Sequence, residues 1–400
     1  MMSPSLPSNL VHNLYQAVPT VWLFSLHWLQ AGMWLVGLLL VVWAGMRMRW
    51  ARLVALLVFL TMDLVMFGAF VRLTDAGLGC PDWPGCYGRL TPAQAHVQIH
   101  QAVQEEGGTQ GNVSPFKAWV EMIHRYVATI IGALITVMAA RALWARRKGQ
   151  GVGRGGGVGV GLPLLLLGWV IVQGMFGAWT VTLLLKPLIV TLHLMGGIVL
   201  LLLAAWFWMR NRPEMQPLDA GAATRWLARV ALLALLVQIF LGGWVSTNYA
   251  DLACSGFPTC NGSWNPPADW SAGFTMWRDL GHMPDGSAIT LQALIAIHWA
   301  HRLFAVVASA LILGTAGLLA RVRELRRLAG WLVLALLVQI GLGVSVVLLQ
   351  RPLVPAVAHN GGAALLVLLL TTAVWRTSGA RRARQAAAPP AAMQHVRDPS

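Results

Sequence analysis

The chain has 400 residues, 57% hydrophobic and only 11% charged, with a mean hydropathy of +0.64. A soluble domain carries about a quarter charged residues, so this composition excludes an ordinary soluble enzyme and fits a polytopic membrane protein. The net charge of +15 does not point to nucleic acid, because the basic residues fall in short clusters between apolar runs and form no basic patch with interleaved aromatics.

Apolar runs of spanning length lie near 21–46, 53–72, 121–143, 162–184, 187–209, 226–247, 293–318, 329–349 and 354–375, each near the ~20 residues a helix needs to cross the hydrocarbon. Nothing basic precedes the first run, which therefore does not read as a secretory signal but as an extra helix with its N-terminus outside. The connecting segments alternate in charge. Arg47, Arg49 and Arg52, then Arg141, Arg146, Arg147, Lys148 and Arg154, then Arg210, Arg212, Arg225 and Arg229, mark one side, as do Arg321, Arg323, Arg326 and Arg327 and finally Arg376, Arg381, Arg382 and Arg384. The positive-inside rule makes these segments cytoplasmic and places the two long segments, 73–120 and 248–292, on the opposite side. The glycine-rich stretch 149–161 lacks the G-K-[ST] ending of a phosphate loop and reads as a flexible linker. The Arg/Ala/Pro tail reads as disordered.

The two halves of the chain echo each other. "GAFVRLTDAGLGCPDWPGCYG" begins at Gly68 and "GGWVSTNYADLACSGFPTCNG" at Gly242, each with a C-x5-C pair. "HRYVA" at His124 matches "HRLFA" at His301, and the step from Gln173 to His193 equals that from Gln339 to His359. "KPL" at Lys186 answers "RPL" at Arg351. Each half holds four helices, an even number, so both share one orientation and the repeat is parallel. The expected fold is an all-α integral membrane protein of two pseudo-symmetric four-helix transmembrane bundles, with one extra N-terminal helix. Its segments are 1–52, carrying that extra helix; 53–209, the first half; 210–225, a cytoplasmic linker; 226–375, the second half; and 376–400, the tail.

His124, His193, His301 and His359 each fall five to eight residues past the expected start of a helix running from outside to inside, two per half at one depth. Facing helices of a bundle can bring such a pair to one axis, the geometry of bis-histidine haem iron. Zinc or copper remains open, although two ligands do not complete a tetrahedral site. Glu121 opposes His298 in the repeat and shares a helix face with His124. It either acts on what His124 binds or pairs with Arg125 one turn on. The asymmetry implies one catalytic site, in the N-terminal half, and one haem site in the C-terminal half that is structural or passes electrons. His298 competes with His301 as ligand, and the shared "HR" register favours His301. Arg72, Arg125, Lys186, Arg302 and Arg351 sit near outer helix ends, where they can pair with haem propionates or snorkel to headgroups. Asp63 lies mid-helix with no assignable role. The repeat favours Cys80–Cys86 and Cys254–Cys260 disulfides on the oxidising side, either as staples or, for the first pair, with a redox role.

"RLTDAGLGCPDWPGC", "EMIHR", the four histidines and the twin four-helix halves resemble the heme A synthase family, in its cysteine-bearing bacterial class, over roughly residues 53–375. The 21–46 run departs from that family's eight-helix pattern. The resemblance implies oxidation of a methyl group of haem O to a formyl group, through an alcohol and a hydrated aldehyde, giving haem A for terminal cytochrome oxidases. It implies that His124 and His193 bind the substrate haem O, that His301 and His359 bind a haem b cofactor, and that Glu121 is the catalytic carboxylate. The implied setting is a bacterial inner membrane with the long loops periplasmic. Lipid, a haem O synthase and an electron-transfer partner would be neighbours, with self-association open and no nucleic acid. A quinol-oxidising di-haem cytochrome b and a haem transporter or chaperone are the rival readings.

Overall fold

Eight of the apolar runs form helices long and apolar enough to cross a membrane in a computed structural model, which describes residues 37, 39–105, 113–149 and 159–379. They are α1 Trp50–Leu73, α2 Pro115–Arg147, α3 Gly161–Thr182, α4 Pro187–Arg210, α5 Ala222–Thr247, α6 Leu291–Leu319, α7 Arg326–Leu348 and α8 Leu353–Arg376. No strand occurs among the described residues, as expected where backbone groups must be satisfied within each segment. Most of the 21–46 run lies outside the described residues; 39–47 is helical and belongs to a separate unit ending at Met48. Residues 150–158 of the glycine-rich stretch and the tail from 380 also lie outside them.

α2 begins six residues before its apolar run, and α6, the other spanning helix with a capped start, two residues before its own. Ser114 caps α2 by accepting from the Lys117 N–H at 3.2 Å, and Thr290 caps α6 by accepting from the Ala293 N–H at 3.2 Å. His124 therefore lies nine residues into α2 and His301 ten into α6, deeper than expected, while His193 and His359 each lie six residues into α4 and α8. The linker is shorter than expected, because α5 already starts at Ala222. It is also pinned: the Leu218 N–H donates to Arg376 O at 2.6 Å, and Arg376 Nη1 to Glu214 O at 3.0 Å.

In the first half α1 packs on α2, α2 on α3, α3 on α4 and α4 back on α1; α5 to α8 close a second ring in the same order. The rings join through α1–α8, α4–α5 and α4–α8. Exchanging the halves turns the α1–α8 contact into α5–α4 and returns α4–α8 to itself, the signature of a two-fold relation. Residues near such an axis meet their own counterparts. Arg72 donates to Ser246 O, and Tyr249 Oη donates to Asp75 Oδ1 at 2.8 Å, both across 174 positions, the spacing of the two echoing segments. The Arg72 guanidinium also lies 3.8 Å from the centre of the Tyr249 ring. Lower down, Thr191 and Thr247 share a hydrogen bond at 3.0 Å between α4 and α5. Small residues let these helices approach: a Cβ at Gly243 would lie 3.0 Å from Leu194 Cδ2, and one at Gly361 3.0 Å from Met66 Sδ.

The four helices that end at the loop-bearing face stop in the same way. The Ala76, Leu185, Ala250 and Arg351 N–H groups reach back five residues to Val71, Thr180, Val245 and Val346 carbonyls, at 2.8–3.0 Å. The residue before each, Asp75, Leu184, Tyr249 and Gln350, is left-handed at φ 50–55°. This is a Schellman close built without glycine, and a left-handed L-residue costs about 1–2 kcal/mol. Gln350→Gly is therefore expected to stabilise the protein by up to about 1 kcal/mol after glycine's own entropic cost, measured by equilibrium unfolding in mixed micelles.

Candidate functional site

The rings place the histidines. α2 and α4 stand diagonally across the first ring and α6 and α8 across the second, so His124 faces His193 and His301 faces His359 over a ring interior. Within each pair the imidazoles are close enough for a charge on one to act on the other. Each imidazole rests against a glycine of an adjacent helix. A Cβ would lie 3.2 Å from His124 Cε1 at Gly68, 3.4 Å from His193 Cε1 at Gly177, 2.9 Å from His301 Cε1 at Gly242 and 2.9 Å from His359 Cε1 at Gly343. At Gly242 and Gly343 even an alanine would push the ring off its position, whereas at Gly177 a Cβ would make ordinary contact. The His124, His193 and His359 Nδ1 atoms are buried without a hydrogen-bond partner, a state that normally marks a missing ligand or water.

Polar neighbours differ between the rings. In the second, Gln238 Nε2 lies 3.0 Å from His301 Nδ1, and Gln339 Nε2 lies 3.3 Å from His359 Nε2. In the first, His124 stacks on Phe67, with ring centres 6.2 Å apart and planes 14° apart.

Above each ring sits a loop closed by a disulfide, Cys80–Cys86 or Cys254–Cys260. Tyr87-Gly88 and Asn261-Gly262, all at positive φ, turn the two loops back on themselves. The arginine of each "HR" motif holds the loop above it. Arg125 Nη1 donates to Asp82 O at 2.8 Å and to Gly85 O. Arg302 donates to Cys254 O at 2.8 Å, Gly256 O at 2.9 Å and Thr259 O at 2.8 Å. Gly79 lets the first loop lie on α2, since a Cβ there would sit 2.7 Å from Ala118 N.

Glu121 is 4% exposed, one turn toward the loop from His124. Its Oε1 pairs with Arg125 and its Oε2 accepts from the Cys80 N–H at 2.8 Å. The carboxylate is thus tied to the disulfide loop twice, directly and through Arg125. His298, its counterpart, has Nδ1 2.9 Å from Ala250 O and Nε2 accepting from Arg302 Nε at 3.1 Å, so both ring nitrogens are engaged within the protein.

The other cations near outer helix ends also have protein partners. Arg72 pairs with Asp75 at 3.1 Å, Lys186 with Asp279, and Arg351 with Asp251 at 3.4 Å. The Lys186 hydrogen bond and charge hold the exposed Asp279 carboxyl below its ordinary range. Asp63 lies on the exposed face of α1, and the structure gives it no role. Sequence reasoning missed the glycine at each imidazole, the two glutamines as histidine neighbours and the arginine clasps. The signal was present in the repeat: Gly242 and Gly343 each stand four residues after Gln238 and Gln339.

Among the described residues no three His, Cys, Asp or Glu side chains converge. Two buried imidazoles per ring, with no third ligand beside them, suit an iron held in a flat macrocycle better than a tetrahedral ion. A family model described as COX15-CtaA, cytochrome oxidase assembly protein, matches residues 49–371. The chain belongs to this family. A protein named Heme A synthase from Shewanella oneidensis is 36% identical over 320 residues, covering 79% of this chain and 92% of the relative. One of the same name from Shouchella clausii is 30% identical over 244 residues, covering 59% and 71%. Another, from Methylobacterium radiotolerans, is 28% identical over 336 residues, covering 79% and 86%. The family match begins at residue 49, so it spans all eight helices except the last residues of α8 and leaves out the 21–46 run.

The arginine clasp makes a prediction for the loops. Arg125→Ala removes the donor to Asp82 and Gly85 and should expose Cys80–Cys86 to external thiol, with reduction at least several-fold faster than in the wild type. Cys254–Cys260, still held by Arg302, should keep its rate. Mass-resolved alkylation after timed reduction measures both.

Proposed function

We propose that this protein is a heme A synthase, an oxidoreductase that converts a methyl group of haem O to the formyl group of haem A for terminal cytochrome oxidases. The family and the names of its relatives support the reading. The observation that carries it is the pair of diagonal imidazole sites, of which only one has a buried carboxylate a turn away. His124 and His193, in the half 53–209, hold the substrate haem O. His301 and His359, in the half 226–375, hold haem b, which supplies one-electron redox chemistry when bound.

The net change, methyl plus water to formyl, releases four electrons and four protons. Glu121 takes protons at its carboxylate, or faces positive charge developing on the substrate, and Arg125 and the Cys80 N–H hold it in place for this. The histidines, seated beside glycines, would hold the haem, and the loop clasped by Arg125 would shield the outer end of the site. The prenyl tail of haem O requires an apolar exit, which a helix bundle in lipid can supply. A haem O synthase and an electron-transfer protein are the partners this reaction calls for. The setting is a bacterial inner membrane with the disulfide loops on the periplasmic side, supported by the basic clusters at the opposite helix ends and by the need for an oxidising compartment.

The test is haem extraction and chromatography of protein purified from cells that also make haem O. Haem b together with haem A or an oxidised haem O is expected. Glu121→Ala should still bind haem while haem A output falls by about 10²-fold or more. Haem b alone at two per chain, with no haem A in the cells, would overturn the reading and leave a quinol-oxidising di-haem cytochrome.

The glycine contacts give an independent check. Gly242→Ala and Gly343→Ala bring a Cβ to 2.9 Å from an imidazole carbon and should sharply lower haem b content, whereas Gly177→Ala, at 3.4 Å, should bind haem near the wild-type level. The pyridine haemochrome spectrum per chain reads this directly.

A further inference from the structure

The loop over the first ring carries a pair of histidines that the haem sites do not use. "HVQIH" opens the short helix His96–Glu105. Residues four apart on a helix stand on one face with their Cβ atoms about 5–6 Å apart. His96 and His100 therefore share a face, and both are exposed. Two imidazoles at this spacing can close on one metal ion, as they do in helical zinc motifs.

The surroundings prepare them for it. His96 Nδ1 lies 3.2 Å from Ala93 O. A carbonyl oxygen only accepts, so Nδ1 carries the proton and Nε2 keeps its lone pair. A metal-bound histidine usually makes this second contact, which fixes its tautomer and ring. His100 is engaged by no other group among the described residues, so its imidazole can turn to the same ion. No thiolate competes, because all four cysteines are paired as disulfides.

The helix is anchored through another face. Ile99, 1% exposed, packs in one cluster with Cys80, Cys86, Ala118 and Met122. The histidines thus ride on the element that covers the first disulfide and the turn of α2 bearing Glu121. The repeat has no match for them, since the second long loop holds a single histidine, His282.

We infer that His96 and His100 form a surface site for a divalent transition ion, with water completing its coordination, and that the bound ion staples the helix over the first ring. Neutral imidazole nitrogens take Cu²⁺ ahead of Zn²⁺ by the Irving–Williams order and leave Mg²⁺ and Ca²⁺, which prefer oxygen, unbound. The helix dipole at this first turn opposes a cation by no more than several-fold in affinity. The inference is independent of what the two slots hold.

The test is equilibrium dialysis of the full chain in detergent against Cu²⁺, with a histidine-free affinity tag and metal analysis of the retained protein. Wild type should hold one Cu²⁺ per chain more than the double variant His96→Ala/His100→Ala. Each single substitution should weaken binding at least about ten-fold, the lower end of what loss of even an outer-shell partner costs. The double variant His100→Gln/Gln101→His keeps the number of histidines but sets them about 140° apart around the helix, and should bind no better than the variant lacking both. These positions are exposed, so haem content per chain should stay at the wild-type level in every variant. Amide hydrogen exchange over residues 96–105 should slow with Cu²⁺ in wild type alone. The site is overturned if wild type retains no more Cu²⁺ than the variant lacking both histidines. It is equally overturned if the spacing variant binds as tightly as wild type, which would make the ion adventitious only. Bound Cu²⁺ with unchanged hydrogen exchange would overturn the staple.

Discussion

An imidazole buried among membrane helices must have room, a fixed orientation and something to bind, and in this protein the diagonal of a four-helix ring supplies the first two. Neighbouring helices pack about 8–10 Å apart, so helices on a diagonal stand farther apart and their side chains share the slot inside the ring. His124 and His193 lie on the diagonal helices of one ring and His301 and His359 on those of the other. Each ring edge is seated on a glycine of the helix beside it. Four helices per half, the glycines on α1, α3, α5 and α7, and the histidines on the even-numbered helices all follow from this one geometric demand.

The same demand explains the loops. A helix bundle open at its outer end would expose the slot to water. Each half covers it with a disulfide-closed loop that an arginine one residue past the first histidine holds by its carbonyls. The histidine and its clasp stand together as "HR", so one helix turn carries both the imidazole and the arginine that holds the loop. Glu121 joins this assembly through Arg125 and the Cys80 N–H, so the carboxylate's position depends on the loop being in place.

The repeat makes the two slots alike, and a few residues differ between them. Glu121 faces His298, Phe67 faces Leu241 and Leu64 faces Gln238 in the repeat. The shared frame stays intact because the contacts that join the halves lie on or near the two-fold axis, where Arg72 meets Ser246 and Asp75 meets Tyr249. Changes inside a slot leave that seam untouched, so each site could diverge without loosening the other.

The sequence by itself determined the all-helical membrane class, the parallel repeat, nine spanning runs of which eight fall among the described residues, and the four histidines in two sets. These rest on hydropathy, charge alternation and internal similarity, which are properties of the chain read along its length. It also marked Glu121 and left open whether that group acts on a ligand or pairs with Arg125; the structure shows the pair and leaves the carboxylate one turn from His124. The start of α2 was misjudged by six residues, because Ser114 begins the helix in polar sequence before the apolar run. Only the tertiary structure decided that α2 opposes α4 and α6 opposes α8, that the "HR" arginines bind loop carbonyls, that His298 is committed to Ala250 and Arg302, and that Gln238 reaches His301. The reason is physical: each of these contacts joins helices or loops distant in the chain, and their side chains meet only once the rings have closed.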